Sequence, residues 1–201
     1  MIDRLILPYQ KKALAPLAGW LAEKGVKADQ LSIAGFVIGL AALPAIATGN
    51  FLLGLLLIGL NRLFDGLDGA VARLTTPTDR GAFLDITLDF FFYATVPLAF
   101  ALYDPVENAL AAAILITAFV GTGSSFLAFA TIAAKRGLSA DAYPAKGLYY
   151  LGGLTEGAET IAIFAAMCIW PTLFPILAGL FAVLCFVTTL TRWHQGWKSF
   201  S

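Results

Sequence analysis

Charge is what this chain has least of. Only 13% of its 201 residues are Asp, Glu, Lys or Arg, while 59% are hydrophobic and the mean hydropathy is +0.82. Soluble domains carry about 25% charged and 45–50% apolar residues. There is too little polar surface to cover a globule of this size, so a soluble fold is excluded and an integral membrane protein is indicated. The formal net charge is zero, and nothing suggests an arm for nucleic acid. Histidine occurs once, at His194 near the C-terminus, and cysteine twice, at Cys168 and Cys185, both inside apolar runs. They form no metal or redox spacing, and small buried hydrophobes are the expected reading of the cysteines. No linker, repeat or compositional break divides the chain, so one domain over residues 1–201 is expected. The N-terminal segment MIDRLILPYQKK has no continuous apolar core before a small-residue cleavage site, so no signal peptide is expected.

What is there is helical. From residue 2 to 21 the apolar residues fall at helical spacing, with Lys11, Lys12 and Lys24 among the polar positions. An amphipathic helix on the membrane surface is expected, kinked or broken near Pro8 and Pro16. Apolar runs of spanning length follow at about 31–49, 51–73, 81–103, 108–134, 148–169 and 172–192. Pro77 and Asp79 signal a turn and a cap between the second and third runs, and Asp104-Pro105 ends the third. The fold expected is therefore all-α and polytopic, with six transmembrane helices behind an N-terminal interfacial one.

Lys and Arg set the orientation. Of the 13, five precede the first run, two lie at the second-to-third connection, three between the fourth and fifth runs, and two after the sixth. Arg62 alone lies inside a run. The connections near 50, 104–107 and 170 hold none. Six spans with both termini cytoplasmic satisfy this pattern, and five or seven do not. A bacterial inner membrane is the expected location.

Four carboxylates break the apolar pattern: Asp65, Asp68, Asp85 and Asp89. A carboxylate at mid-bilayer costs ~2.5–3.5 kcal/mol on insertion scales, so such residues are rare and usually functional. Asp65 and Asp68 are i, i+3, Asp85 and Asp89 are i, i+4, and each pair shares a helix face. The six-span topology puts both pairs near the cytoplasmic ends of adjacent antiparallel helices. An all-carboxylate cluster suits a hard divalent cation, Mg²⁺ before Mn²⁺, and two facing pairs can hold two ions. Ordinary ion pairs, Asp65 with Arg62 and Asp68 with Arg73, would account for one pair or two, but not for four acids at one depth. Gly66, Gly69 and Gly81 open the backbone to close approach, and Arg73 offers a fork for phosphate.

Residues Asp65, Asp68, Gly69, Ala72, Arg73, Gly81, Asp85 and Asp89 spell D-x2-D-G-x2-A-R-x7-G-x3-D-x3-D. This pattern resembles the signature of the CDP-alcohol phosphatidyltransferase family. The resemblance extends to the six-span layout and the N-terminal helix. It departs at the start of the first span, where many members carry Pro-Asn-x-x-Thr and this chain has Ala28-Asp29-Gln30-Leu31-Ser32. The resemblance implies transfer of a substituted phosphate from a CDP-alcohol to an acceptor hydroxyl, with release of CMP. It implies divalent metal held by Asp65, Asp68, Asp85 and Asp89, and Asp89 as general base. It places Asp68, Gly69, Ala72, Arg73 and Ser32 on the CDP side of the pocket. It also implies a homodimer and CDP-diacylglycerol as the favoured donor. No Ser, Cys or His stands among the acids as an activated nucleophile, which favours direct displacement.

For the acceptor, two sets of residues compete. Glu156 and Glu159 would suit a polyol or an amine-bearing alcohol, and the sequence reading leans to them. Lys135, Arg136 and Lys146 would suit a phosphorylated alcohol. Lys135 and Arg136 also fit a simple positive-inside flank, and the two glutamates an acidic first helical turn. Within the family, a small donor such as CDP-choline or CDP-ethanolamine with a lipid acceptor is the alternative. A cation transporter is the alternative from another class, but inverted repeats and broken helices are not visible.

Overall fold

The computed structural model describes residues 3–137 and 153–201. Among them there are only helices: α1 (Asp3–Glu23), α2 (Ala28–Leu40), α3 (Ala42–Ala47), α4 (Phe51–Leu74), α5 (Asp79–Tyr103), α6 (Pro105–Lys135), α7 (Gly157–Ile169) and α8 (Phe174–Phe200). A single 3-10 turn, Pro171–Leu173, leads into α8.

Four stretches are long and apolar enough to cross a bilayer: Ala28–Ala47, Asp79–Tyr103, Pro105–Lys135 and Pro171–Phe200. The other two expected spans differ for physical reasons. With 24 residues, α4 reaches about 36 Å at 1.5 Å per residue, but it carries Arg62, Asp65, Asp68 and Arg73. α7 has only 13 residues, about 20 Å at the same rise, against a hydrocarbon core of about 30 Å.

Local sequence explains several boundaries. The first span is broken at Ala41 into α2 and α3, because Pro44 has no N–H to give to the carbonyl of Leu40. The cap of α5 is Thr78, not Asp79: its hydroxyl accepts from Gly81 N at 3.0 Å. Asp104 caps α6, accepting from Val106 N and Glu107 N at 3.1 and 3.2 Å, with Pro105 at the first helical position. α1 is one helix through both Pro8 and Pro16, so the expected break is absent. The C-terminal half of α1 is anchored, since Leu14, Ala18, Leu21 and Ala22 pack with Leu67, Ala70 and Val71 of α4. That packed face offsets the hydrogen bond that Pro16 removes.

The core occupies one end of the bundle. Phe92, Val96 and Phe100 of α5 meet Leu115 and Phe119 of α6, Phe164 and Met167 of α7, and Phe174 and Phe181 of α8. Phe51, Phe100 and Phe174 form a ladder of parallel rings, with centroids 5.7 and 4.5 Å apart. Outward positions such as Leu52, Leu56, Val106, Leu110, Ile176 and Leu180 are exposed apolar residues, which suits a lipid-facing surface. α2 and α4 touch through glycine. A Cβ at Gly35 would lie 2.6 Å from Phe64 Cβ, and one at Gly39 would lie 2.8 Å from Asn61 Nδ2. This Gly-x3-Gly pair lets α2 and α4 approach at backbone distance. It fixes α2 against the part of α4 that carries the charges.

Candidate active site

Past the aromatic core, α4 and α5 turn polar together. They run antiparallel through the short connection at residues 75–78, so the last turns of one face the first turns of the other. Asp65 and Asp68 on α4 thereby meet Asp85 on α5. One oxygen from each lies within 4.8 Å of the others. Two opposite ligands of one cation at about 2.1–2.4 Å are about 4.2–4.8 Å apart, so three oxygens this close can converge on a single hard divalent ion with small side-chain adjustments. The donor set is all carboxylate oxygen, which also fits.

Asp68 is buried, and Ser32 of α2 donates to its Oδ2 at 2.5 Å. Ser32, expected on the donor side, thus also bonds one of the acids. Asp89 lies one turn deeper. Its Oδ1 accepts from Arg62 Nη2 at 2.6 Å, and Arg62 Nη1 lies 3.5 Å from Asp65 Oδ2. The simple Asp65–Arg62 pair therefore exists, but it shares its cation with Asp89.

These acids open on a cavity of about 1010 Å³. The expected donor-side residues Ser32, Asp68, Gly69, Ala72 and Arg73 all line it, as does Gly81. Gly69 leaves room for Arg73 to fold back along α4: a Cβ there would sit 3.2 Å from Arg73 Nη1. At the mouth, Asp29 Oδ2 binds Arg80 through Nη2 at 2.5 Å and Nε at 2.7 Å, tying the start of α2 to the start of α5. α1 supplies Gln10, Lys11 and Leu14 to the same wall.

A second lobe runs between α6, α7 and α8, lined by Phe119, Thr122, Phe126, Thr155, Glu156 and Arg192. Arg192 is buried, 7% exposed, and donates Nη1 to the Thr122 carbonyl at 2.9 Å. Its guanidinium lies 5.7 Å from the centre of the Phe126 ring. Of the expected acceptor residues, Glu156 lines this lobe and Glu159 does not. Both serve the start of α7. Glu156 Oε1 accepts from Gly153 N, and Glu159 Oε2 accepts from Glu156 N, each at 3.2 Å. Lys135 and Arg136 are not among the lining residues. Arg136 instead donates to the carbonyls of Ser199 and Phe200 at 3.3 and 2.7 Å, tying the ends of α6 and α8. Lys146 lies outside the described residues.

Sequence reasoning missed Arg192, counted as a flanking charge, and passed over Arg62 as the one in-span cation. A signal existed for the first. Thr188, Thr189 and Arg192 repeat at i, i+1 and i+4, a polar stripe at the end of the apolar part of the helix.

A metal-fitting trio of acids on adjacent helices, beside a cavity with cationic walls, defines a phosphoryl-transfer class of membrane protein. The chain belongs to the CDP-alcohol phosphatidyltransferase family, whose model matches residues 26–193. Among individual relatives, it is 50% identical over 197 residues to the inner membrane protein YnjF of Escherichia coli, covering 98% of this chain and 96% of that one. It is 31% identical over 196 residues to a phosphatidylinositol phosphate synthase of Mycobacteroides abscessus, covering 91% and 83%. Its fold matches the crystal structure of the Mycobacterium tuberculosis phosphatidylinositol phosphate synthase with CDP-DAG bound. The TM-score is 0.73 at 25% identity, over 92% and 94% of the two chains. The protein is thus a membrane enzyme that transfers a substituted phosphate from a CDP-alcohol.

Proposed function

We propose that this enzyme transfers a phosphatidyl group from CDP-diacylglycerol to a hydroxyl of a phosphorylated polyol, releasing CMP. The observation that carries the reading is that the Asp65/Asp68/Asp85 cluster and buried Arg192 line one continuous cavity. The first can serve a diphosphate donor and the second an anionic acceptor. The solved M. tuberculosis relatives hold CDP-DAG in one case and manganese with citrate in another, and several relatives are inositol phosphate lipid synthases by name. The acceptor reading moves away from Glu156 and Glu159, because both carboxylates already bond the backbone that opens α7.

Asp65, Asp68, Asp85 and Asp89 hold the divalent cations in this reading, Mg²⁺ or Mn²⁺ and two ions in all. Bound there, the ions neutralise charge on the diphosphate. Ser32 orients Asp68. Arg73, with Gly69 and Ala72, lies along the donor. Asp89 takes the proton of the acceptor hydroxyl as its oxygen bonds to the donor's diacylglycerol-bearing phosphorus. The bond from that phosphorus to the bridging oxygen breaks, and CMP leaves with the electron pair.

The six-span arrangement, with α1 interfacial, both termini cytoplasmic and the whole chain one membrane domain, completes the proposal. It is supported by the connections without Lys or Arg and by a relative described as an inner membrane protein. A homodimer rests on the family resemblance alone. The test is CMP release by purified enzyme in detergent, offered CDP-diacylglycerol with inositol phosphate, glycerol phosphate, inositol or choline. Release with a phosphorylated polyol is expected. Release with choline or inositol but not with either phosphate would overturn the acceptor class, and turnover of CDP-choline with diacylglycerol alone would overturn the donor.

A further inference from the structure

The carboxylate cluster carries a cation of its own, held with unusual care. Arg62 ends between Asp65 and Asp89, with its side chain 17% exposed. Its far side is fixed by a second layer. Nε donates to Asn61 Oδ1 at 2.9 Å, and Nη1 reaches the Tyr93 hydroxyl at 3.3 Å. The guanidinium carbon lies 5.2 and 5.4 Å from the ring centres of Phe92 and Tyr93. Asn61 is itself locked, donating Nδ2 to the Gly35 carbonyl at 2.9 Å. Simple charge compensation needs a cation nearby and no such scaffold. A scaffold is what orientation needs. The short bond from Arg62 goes to Asp89, the one carboxylate outside the metal-fitting trio.

We propose that Arg62 is a positioning residue: by holding Asp89 Oδ1 it limits how tightly that carboxylate closes on the cation site it shares with the trio, and keeps Oδ2 turned to the acceptor hydroxyl. This rests on the reading of Asp89 as the base. Without Arg62, two things follow from the geometry. The base loses its aim, so chemistry slows while donor binding holds. The trio loses a neighbouring positive charge and gains a mobile carboxylate, so divalent metal binds more tightly. A merely structural arginine would give slower turnover with weaker metal binding.

The experiment uses the full chain in detergent as wild type, Arg62→Gln, Arg62→Lys, Asp89→Asn and the Arg62→Gln/Asp89→Asn double variant. CMP release gives kcat and donor KM, and Mn²⁺ titration followed by electron paramagnetic resonance gives metal affinity. Arg62→Gln is expected to lower kcat about 100-fold, the scale of a misplaced reacting group. Donor KM should stay within about threefold, since ground-state binding is untouched. Its Mn²⁺ affinity should rise severalfold. In the Asp89→Asn background the same change should cost less than about threefold, because a residue acting through another has nothing left to position. Near-normal kcat in Arg62→Gln, weaker Mn²⁺ binding, or losses that multiply in the double variant would each overturn the inference. If Asp89→Asn itself turns over normally, the base assignment fails, whatever Arg62 does. Should Arg62→Gln not yield folded protein, Arg62→Lys decides. Lysine reaches Asp89 but not Asn61 and Tyr93 together, so kcat should fall about tenfold with donor KM held, a partial loss of aim. Wild-type kcat in that variant would overturn the inference.

Discussion

At the scale of single residues, the site divides into acids placed to hold a cation and groups that hold the acids. Asp65, Asp68 and Asp85 converge within the span of one coordination sphere. Each change to Asn removes one charge from a shared site, so each should cut CMP release at least ~100-fold. Turnover near wild type in any of the three would remove that residue from the site. Ser32→Ala makes a different prediction. The Ser32 hydroxyl bonds Asp68 Oδ2, and losing such a supporting partner typically costs ~10–100-fold in metal affinity. The variant should therefore need more Mg²⁺ for half-maximal activity yet approach wild-type kcat at saturation. A lowered kcat at saturating Mg²⁺ would contradict that role. Arg192→Gln should raise acceptor KM tenfold or more and leave donor KM unchanged, as expected when a charge-assisted contact to one substrate is lost. A parallel rise in both would show that the variant disturbs the whole cavity. The four acids were legible in sequence because charge inside an apolar helix is costly and their spacings share helix faces. Arg192 was not, because a cation at the end of a last span looks the same whether it faces solvent or a cavity. Only packing of α8 against α6 distinguishes the two.

At the scale of elements, helix existence was legible and helix detail was not. Apolar runs of spanning length located α4, α5 and α6 to within a few residues, but the first run is two helices, α8 continues past residue 192 to Phe200, and α7 begins only at Gly157. The expected run continues upstream of it to residue 148. Hydropathy alone cannot say where such a run stops being one helix. The continuity of α1 through Pro8 and Pro16 was illegible for a related reason. A proline costs a hydrogen bond locally, but the face of α1 that docks on Leu67, Ala70 and Val71 decides whether the helix survives. That docking has a specific seat. A Cβ at Gly66 would lie 2.6 Å from Gln10 Nε2 and 2.7 Å from Leu14 Cδ1. Gly66→Leu should push α1 off α4 and open the wall to which Gln10, Lys11 and Leu14 contribute. Donor KM should rise more than acceptor KM, and α1 should become sensitive to protease. An unchanged donor KM together with a protected α1 would show that α1 tolerates the bulk.

At the scale of the whole molecule, the architecture separates rigidity from chemistry along the bundle axis. The stacked rings of Phe51, Phe100 and Phe174 lie at one end, and the acids and cationic walls lie toward the other. The CDP headgroup of the donor and a phosphorylated polyol are both water-loving, so the acids' end of the bundle should face the compartment that supplies them. The charge pattern points the same way, since the connections near 50, 104–107 and 170 have no Lys or Arg. Both termini and residues 75–78 should then share one side, and Val106 should lie on the other. The molecule is well suited to the measurement. Its two cysteines, Cys168 and Cys185, are buried, whereas Val106 is 90% exposed and Ser201 is at the exposed end of the chain. Single substitutions Val106→Cys and Ser201→Cys can therefore be labelled against a low background with a membrane-impermeant maleimide. In intact spheroplasts Val106→Cys should label and Ser201→Cys should not, and inverted vesicles should reverse the result. Labelling of both from one side would require an even number of crossings between them, where the six-span reading has three. It would break the six-span reading while leaving the carboxylate site untouched, because the site depends only on the antiparallel pairing of α4 with α5.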